Sequence, residues 1–246
     1  MDTQTVAVEA EVEATHWWFV QRRNLFAAEI DRLGLSRQAA ILDVGTGTGA
    51  NLRLLGRLGY TNVAGIDPSP DAIRFCAEKG LGNVTQGSAC AIPFPDATFD
   101  LVMATDVIEH IDDDALALRE AARVLRPSGI LLLTVPTFQS LWGVQDDRSH
   151  HKRRYRIEQL LERVEQTPLD VERSYYFNYL LFVPILLARR LMRMASINPS
   201  SENEINTPLI NRILNGVFRA DVATAPYLRP PFGVSALAIA RKPAKA

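Results

Sequence analysis

Cysteine is scarce in this sequence, since the 246 residues contain only Cys76 and Cys90. Secreted proteins that depend on disulfides carry several cysteine pairs, so two cysteines in a chain of this length indicate reduced thiols. The first residues, MDTQTVAVEAEVEATHWWF, also lack the basic segment followed by an apolar segment that forms a secretion signal. Both observations favour a cytoplasmic protein.

An excess of charge of either sign is also absent. The chain has 27 Lys and Arg residues against 28 Asp and Glu residues, which gives a net charge of −1. Nucleic-acid binding usually needs a strongly basic surface, so we expect no nucleic-acid partner.

The chain has no apolar run that is long enough to cross a bilayer. The apolar segment at residues 179–188 is too short, and Pro184 interrupts it. With 47% hydrophobic residues, the chain can instead bury one sizeable core, so we expect a single domain.

Short apolar segments alternate with segments of helical periodicity along most of the chain. Strands are predicted over residues 40–44, 62–66, 83–86, 99–104, 129–135, 169–177 and 234–241. Helices are predicted over residues 12–33, 51–58, from Pro70 onward, and over 113–125, 157–166, 179–194 and 209–218, with a polar loop over 137–155. This order predicts an α/β fold: a Rossmann-like seven-stranded sheet with helices on both faces, an N-terminal helical extension, and a helical insertion between the last two strands.

Three glycines at alternate positions follow the first predicted strand, in the stretch ILDVGTGTGA of residues 41–50. Glycine lets the chain turn sharply and lets a ligand lie against the backbone. The spacing of Gly45, Gly47 and Ala50, with Asp67 22 residues after Gly45 (67 − 45), also fits a dinucleotide-binding fingerprint. A phosphate-binding P-loop is excluded, because no Gly-Lys-Ser/Thr sequence follows. The glycine turn alone therefore leaves a nicotinamide-dependent oxidoreductase open.

The acid that precedes the glycines narrows the choice of ligand. Asp43 lies two residues before Gly45, where a carboxylate would repel a pyrophosphate. The same carboxylate suits a ligand with an ammonium and a sulfonium group, and S-adenosylmethionine is such a ligand. Asp67, at the end of the second strand, can accept hydrogen bonds from both ribose hydroxyls of this ligand.

Four loops follow the carboxyl ends of predicted strands, at residues 43–49, 67, 87–89 and 105–110. Parallel sheets bind their ligands beyond this edge. We therefore expect the four loops to meet around one ligand.

Between residues 40 and 135 the chain resembles the class I S-adenosylmethionine-dependent methyltransferases. The matching motifs are LDVGTGTG, GIDPS, FDLVMATDVIEHI and LRPSGILLLTVP, in the order of the family. Near the start, HWWFVQRR resembles the opening helix of a bacterial subgroup, in which this helix tends to close over the cofactor. The resemblance implies S-adenosylmethionine as the cofactor and methyl transfer as the reaction.

Within the predicted single domain, residues 1–246, we expect four parts. These are an N-terminal helical lid (1–36), a cofactor-binding core (37–177), the helical insertion (178–232), and the last strand with the tail (233–246).

The resemblance also implies contacts to the cofactor. It places Gly45 and Gly47 against the methionine part and Asp43 on its amino group, while Arg22 or Arg23 would pair with the cofactor carboxylate. The full set of predicted cofactor-binding residues is Asp43, Gly45, Thr46, Gly47, Gly49, Asp67, Pro68, Ser88, Ala89, Thr105 and Arg22.

The adenine contacts differ in one position from the pattern of the family. Pro68 is expected to pack on the adenine, and Ser88 and Ala89 to border it. The family often has an aspartate at the position of Ser88, which accepts from the adenine amino group. A serine hydroxyl can also accept a hydrogen bond, but without a charge.

Histidines lie in two of the loops near the expected methyl group. In the first interpretation, His110, His150 or His151 is a general base that deprotonates an acceptor hydroxyl. In the second, Asp106, Glu109, His110 and His150 bind a divalent metal that lowers the pKa of that hydroxyl. This spacing is similar to that of metal-dependent O-methyltransferases of ubiquinone synthesis and of small-RNA ends, which more usually have glutamate at position 106. In the third, the Glu-His pair only shapes the pocket.

The insertion begins with YLLFVPILLARRLMRM, residues 179–194, which is apolar and then cationic. It fits a peripheral membrane contact with its arginines towards lipid headgroups, a lid over the acceptor pocket, or the surface of a homodimer. We expect an S-adenosylmethionine-dependent O-methyltransferase that acts on a small-molecule, glycan or lipid-linked acceptor. An NAD-dependent oxidoreductase and a cofactor-binding protein without methyl transfer are the alternatives.

Overall fold

The structure is a computed structural model that describes residues 13–194 and 207–244. Its centre is a sheet of seven strands: β1 (Ile41–Val44), β2 (Val63–Asp67), β3 (Val84–Gln86), β4 (Phe99–Thr105), β5 (Leu125–Pro136), β6 (Asp170–Phe177) and β7 (Ser235–Arg241). Their order is β3-β2-β1-β4-β5-β7-β6. Strands β1 to β5 pair in parallel, whereas β7 is antiparallel to β5 and β6.

Helices cover both faces of the sheet. The helices of the described residues are α1 (Trp17–Arg32), α2 (Ala50–Arg57), α3 (Pro70–Glu78), α4 (Asp114–Val124), α5 (Val144–Arg148), α6 (Ile157–Glu165), α7 (Phe182–Met194) and α8 (Pro208–Leu228). Helices α1, α2 and α8 share one apolar core with the sheet, and α4 and α6 share the other. The predicted α/β fold, with its helical insertion between β6 and β7, is confirmed.

Strand β5 shows why the central strands contain nearly continuous apolar runs. Ile130 and Leu132 belong to the core beneath α1, α2 and α8, whereas Leu131, Leu133 and Val135 belong to the core beneath α4 and α6. Successive side chains of a strand point to opposite faces, so the segment of residues 130–133, which is covered on both faces, is apolar at each position.

Helix α1 begins later than the prediction over residues 12–33. His16 has extended backbone dihedrals, and its Nδ1 accepts a hydrogen bond from the backbone N of Trp18 at 3.3 Å. His16 therefore caps the helix and Trp17 is its first residue. Residue 12 lies outside the described residues.

Two other segments are more helical than predicted. The polar loop over 137–155 contains the short helix α5, which the Asp146 carboxylate starts by accepting from the backbone N of Gly143 at 2.8 Å. Helix α8 runs ten residues further than the predicted end at 218 (228 − 218). Thr207 caps its start, and Pro208 occupies its first position, where no N–H is needed.

The insertion between β6 and β7 contains the helices α7 and α8, of which α8 contributes Phe218 and Ala225 to the core on one face of the sheet. Among the described residues, none of the helices combines the length and the hydrophobicity that a membrane-spanning segment needs.

Candidate active site

A cavity of about 460 Å³ opens at the carboxyl edge of the sheet. Its walls come from α1, the glycine turn, the loop after β4, the segment around α5, and the insertion. The lining side chains with functional groups include Arg22, Asn51, Thr105, Asp106, Glu109, His110, His151 and Arg154. Two of the four loops that were predicted to meet here, residues 43–49 and 105–110, contribute to the lining, and the segment around α5 is an additional contributor. Asp67 and residues 87–89 are not part of the lining.

The glycine turn can be formed only with small residues. Gly45, Gly47 and Gly49 all have positive φ, and a Cβ on Gly45 would lie 2.7 Å from Cγ2 of Val107. Asp67 supports the turn, because its Oδ2 accepts from the backbone N of Gly47 at 2.9 Å. A ligand at this turn would therefore meet backbone with no intervening side chain.

Asp43 is the most unusual carboxylate beside the turn. It is fully buried, and its Oδ1 accepts from Nδ2 of Asn51 at 2.9 Å, while its Oδ2 finds no donor among the described residues. Burial raises the pKa of Asp43 to about 7. A buried carboxylate oxygen without a donor is costly, so this position suits a ligand that brings a positive charge.

Two further predicted residues surround Asp43. Thr46 donates through Oγ1 to the carbonyl of Asp43 at 3.0 Å, and Thr105 accepts through Oγ1 from Asn51 at 3.0 Å. Together these hydrogen bonds hold the buried carboxylate next to Thr46, Asn51 and Thr105, which line the cavity.

Arg22 reaches the cavity from α1. Its guanidinium lies 2.6 Å from Oδ2 of Asp106, whose Oδ1 accepts from Oγ1 of Thr134 at 3.1 Å. The sequence analysis predicted that Arg22 pairs with the cofactor carboxylate and that Asp106 binds a metal. In this structure the two residues pair with each other, which joins the N-terminal helix to the loop after β4.

The predicted adenine contacts lie outside the lining of the cavity. Pro68 and Ser88 are exposed, and Oγ of Ser88 accepts from the backbone N of Cys90 at 3.2 Å. They occupy loops at the same sheet edge, after β2 and β3, so their contact with an adenine stays a prediction.

Glu109, His110 and His151 form the cluster of ligating side chains in the cavity. One nitrogen or oxygen atom from each lies within 4.8 Å of the others, and the two imidazole rings meet edge to face with centroids 4.6 Å apart. Glu109 is fully buried, and both of its carboxylate oxygens find no donor among the described residues.

The electrostatics of this cluster favour uncharged groups. Burial, and then the charge of Asp106, raise the pKa of Glu109 well above its usual value. Burial, and then His151, lower the pKa of His110 to about 4. His110 is therefore a neutral imidazole at physiological pH.

His150 does not belong to this cluster, although the sequence suggested it as a base and as a metal ligand. It is exposed and has a φ of 55°, in the turn after α5. The neighbouring His151 takes its place beside Glu109. The spacing of histidines in the sequence could not show which of the two adjacent residues lies beside Glu109. The backbone conformation of the turn decides which of their side chains faces the core.

Asp146 is a candidate functional residue that the sequence interpretation missed. It is fully buried, and its Oδ1 accepts from Nδ1 of His151 and from Nε of Arg154, each at 2.8 Å. Although burial raises the pKa of this carboxyl, hydrogen bonds from His151 and the charge of Arg154 hold it below its usual value. The bond on Nδ1 leaves Nε2 of His151 directed to the cluster, 4.0 Å from Oε1 of Glu109. The sequence showed only two adjacent aspartates, Asp146 and Asp147, with no sign of which is buried.

Known proteins match part of this chain in sequence. Residues 42–133 match the family described as a methyltransferase domain. The 2-methyl-6-phytyl-1,4-hydroquinone methyltransferase of Synechocystis is 35% identical over 112 residues, which is 44% of this chain and 33% of that protein. The ubiquinone/menaquinone biosynthesis C-methyltransferase of Cronobacter sakazakii is 36% identical over 136 residues, 50% of this chain and 53% of that protein. The chain thus spans about a third to a half of the length of these curated relatives.

Solved structures extend the likeness in fold over most of the chain. Phosphoethanolamine N-methyltransferase 2 of Haemonchus contortus, solved with S-adenosyl-L-methionine, superimposes with a TM-score of 0.58. The identity is 21%, and the match covers 88% of this chain and 51% of that one. At this identity the likeness concerns the fold alone.

Proposed function

We propose that the chain is a class I S-adenosylmethionine-dependent methyltransferase, which the match of residues 42–133 to a methyltransferase domain supports. In this proposal it transfers the methyl group of S-adenosylmethionine to a small, quinone-like acceptor with a hydroxyl group. The observation that carries this proposal is the buried Oδ2 of Asp43, which has no donor among the described residues and lies beneath the glycine turn. A dinucleotide would bring a negative pyrophosphate to this carboxylate, whereas S-adenosylmethionine brings an ammonium.

The residues around the turn would hold the cofactor by charge and by shape. Asp43 takes the ammonium, the backbone of Gly45 and Gly47 borders the methionine part, and Asp67 accepts from the ribose hydroxyls. When bound, S-adenosylmethionine supplies an activated methyl group with its own leaving group. The protein therefore has to align the acceptor and remove its proton.

His151 is the group that we assign to proton removal. Asp146 accepts from its Nδ1, which keeps the proton on that nitrogen and leaves the lone pair on Nε2 towards the cavity. Removal of a proton from a hydroquinone-type hydroxyl creates a nucleophilic oxygen and also enriches the neighbouring ring carbons in electrons. The same base thus serves methylation at oxygen or at carbon, and the relative from Cronobacter sakazakii is a C-methyltransferase by name.

A divalent metal is the second candidate for activating the hydroxyl. Glu109, His110 and His151 fit this role, because the Glu109 oxygens have no donor among the described residues and Asp146 orients His151 as a supporting carboxylate does at many metal sites. A metal there would act as a Lewis acid on the hydroxyl. It would take the Nε2 lone pair of His151, so the metal and the base interpretations exclude each other.

Two measurements test the proposed function. Calorimetry should show binding of S-adenosylmethionine and none of NAD, because only the former pairs with Asp43. Labelled methyl groups from S-adenosylmethionine should then appear in a small-molecule fraction of cell extract. Binding of NAD alone would overturn the proposal, and cofactor binding without any transfer would indicate a non-catalytic protein. Loss of transfer after chelation, with recovery on metal addition, would decide for the metal over the base.

The affinity for the cofactor should also depend on pH, and protonation of Asp43 should weaken it at low pH. Its pKa of about 7 in the free protein means that the carboxyl is largely protonated below pH 7. Pairing with an ammonium requires the ionised form, so binding releases a proton. The dissociation constant should therefore rise about tenfold for each pH unit below 7 and level off above it. Titrations between pH 5.5 and 8.5 by calorimetry check this, and a flat profile would contradict the role of Asp43.

The finer identity of the acceptor is part of this proposal. We favour a lipid-linked acceptor that is reached through a peripheral membrane contact of residues 179–194, because this segment is apolar and cationic. The homodimer predicted for the same segment is the competing use of this surface.

A further inference from the structure

Large apolar side chains are exposed in one part of the molecule. Among the described residues, every large apolar side chain with high exposure lies between residues 180 and 232: Leu180, Val183, Leu187, Leu191, Met194, Leu209, Ile210, Ile213, Tyr227, Leu228 and Phe232. Scattered exposed apolar residues need no explanation, but their concentration in one insertion indicates a surface that is covered by a partner.

On α7 these side chains form a stripe. Val183, Leu187, Leu191 and Met194 follow one another at intervals of four, four and three residues, which places them on one side of the helix. Their exposed fractions are 53%, 52%, 64% and 84%. Burial of these side chains would be favourable in free energy, so we expect another apolar phase to cover this side of the helix.

The other side of α7 belongs to the cavity. Ile185, Ala188 and Met192 line it, and Arg189 is buried there, donating to the carbonyl of Leu141 and lying 3.7 Å from Asp146. Leu214 of α8 lines the same cavity. Helix α7 therefore separates the acceptor cavity from the exposed stripe by the thickness of one helix.

The charge of this region has one sign. Residues 178–194 and 207–220 contain five arginines, Arg189, Arg190, Arg193, Arg212 and Arg219, and no aspartate or glutamate. All but Arg189 are exposed. A cationic margin around an apolar stripe complements the phosphates and acyl chains of an anionic membrane surface.

The same charges disfavour a second copy of the chain as the partner. A two-fold interface would bring the same patch of both subunits together and so place arginines near arginines, with no acid from residues 178–194 or 207–220 between them. Helix α7, with 13 residues, is about 20 Å long and cannot span a hydrocarbon core of about 30 Å. These lengths and charges fit a helix that lies in the membrane interface.

We propose that the exposed face of α7 and the first turns of α8 bind the surface of an anionic phospholipid bilayer, and that a lipid-linked acceptor enters the cavity between these helices. We define the membrane face as Val183, Leu187, Leu191, Met194, Leu209, Ile210 and Ile213. The binding rests on this face alone, whereas the entry of the acceptor rests also on the proposed function.

Vesicle sedimentation tests the membrane face. The full chain should sediment with vesicles that contain phosphatidylglycerol and much less with vesicles of phosphatidylcholine alone, and salt should reduce the binding. The double variant Leu187→Glu/Leu191→Glu should lower the partition coefficient about tenfold or more, and Arg190→Glu/Arg212→Glu should act in the same direction. Arg119→Glu, on the opposite face of the sheet, is the matched control and should bind as the original chain does.

Failure of this inference and failure of the proposed function are separable. Calorimetry with S-adenosylmethionine should give unchanged affinity for each variant, which also shows that the variant folds.

Equal binding to both vesicle types, or no effect of the variants, would contradict membrane binding by the membrane face. A dimer in solution that the leucine variants dissociate would contradict it as well. If the inference holds, labelled methyl groups appear in the solvent extract of cell membranes with the original chain and decrease with Leu187→Glu/Leu191→Glu. Vesicle binding without any methyl transfer would support membrane binding by the membrane face and contradict the proposed function.

Discussion

Replacing Asp43 by asparagine should make the protein more stable while weakening S-adenosylmethionine binding about 10²- to 10³-fold. The loss of affinity follows because the amide offers the cofactor ammonium only a neutral partner. Removal of one charged partner from a hydrogen-bonded charge pair in a buried site costs about 3–4 kcal/mol of binding free energy. Asp43 has no exposed surface, so water cannot replace the missing carboxylate.

The gain in stability follows from the pKa of Asp43. Burial raises this pKa to about 7 in the folded protein, above the usual value for aspartic acid. The folded state thus holds its proton more tightly than the unfolded state, and the stability that this proton provides is lost as the pH rises through 7. Asparagine removes this loss but leaves a buried N–H donor unpaired, so we expect a net gain of about 1–3 kcal/mol at pH 7.5.

Thermal unfolding and calorimetry measure the two effects on the same sample. Asp170→Asn makes the same chemical change on an exposed carboxylate of β6 and should move neither quantity. The affinity of Asp43→Asn should also be independent of pH, in contrast to that of the original chain. A less stable variant with unchanged affinity would show that Asp43 has a purely structural role.

His151→Ala should reduce methyl transfer about 10²- to 10⁴-fold, the range that a general base contributes, without changing cofactor affinity. His151 lines the cavity, and its Nε2 is the free nitrogen once Nδ1 is bonded to Asp146. His150→Ala provides a close control, because His150 is adjacent in sequence but exposed. Equal rates for the two variants would remove His151 from the mechanism.

Asp146→Asn should also lower turnover, because an amide no longer fixes the proton on Nδ1 of His151. This carboxylate pairs with Arg154 in the interior, so the variant will also lose stability, by about 3–5 kcal/mol. Turnover is therefore compared at a temperature where circular dichroism shows both proteins folded. Asp147→Asn, at the exposed neighbour, is the matched control, and turnover of Asp146→Asn equal to that of this control would contradict the positioning role.

The glycine turn and the strands beside it were predictable from the sequence because they depend on local rules. Alternating apolar segments determine β1, β4 and β5, and positive φ at Gly45 follows from a turn that no larger residue can form. The position of Asp43 at the end of β1 is fixed by the same short segment. The fold and the expected cofactor edge could therefore be predicted without knowledge of distant contacts.

The ends of the helices depended on polar capping side chains, which the hydrophobic periodicity of the sequence does not identify. His16 starts α1 by capping the backbone N of Trp18, so the helix begins at Trp17, five residues after the predicted start at residue 12 (17 − 12). Asp146 starts α5 inside a predicted loop. Each boundary is decided by one hydrogen bond, which composition and hydrophobic spacing do not reveal.

By itself, the sequence determined the seven-stranded sheet, the glycine turn and the two acids at the ends of β1 and β2, because each follows from residues that are close in the chain. Only the tertiary structure decided that His151 rather than His150 faces Glu109, that Arg22 pairs with Asp106, and that one side of α7 stays uncovered. These outcomes depend on packing between segments that are about 40 to 80 residues apart, where a shift of one residue exchanges a buried side chain for an exposed one.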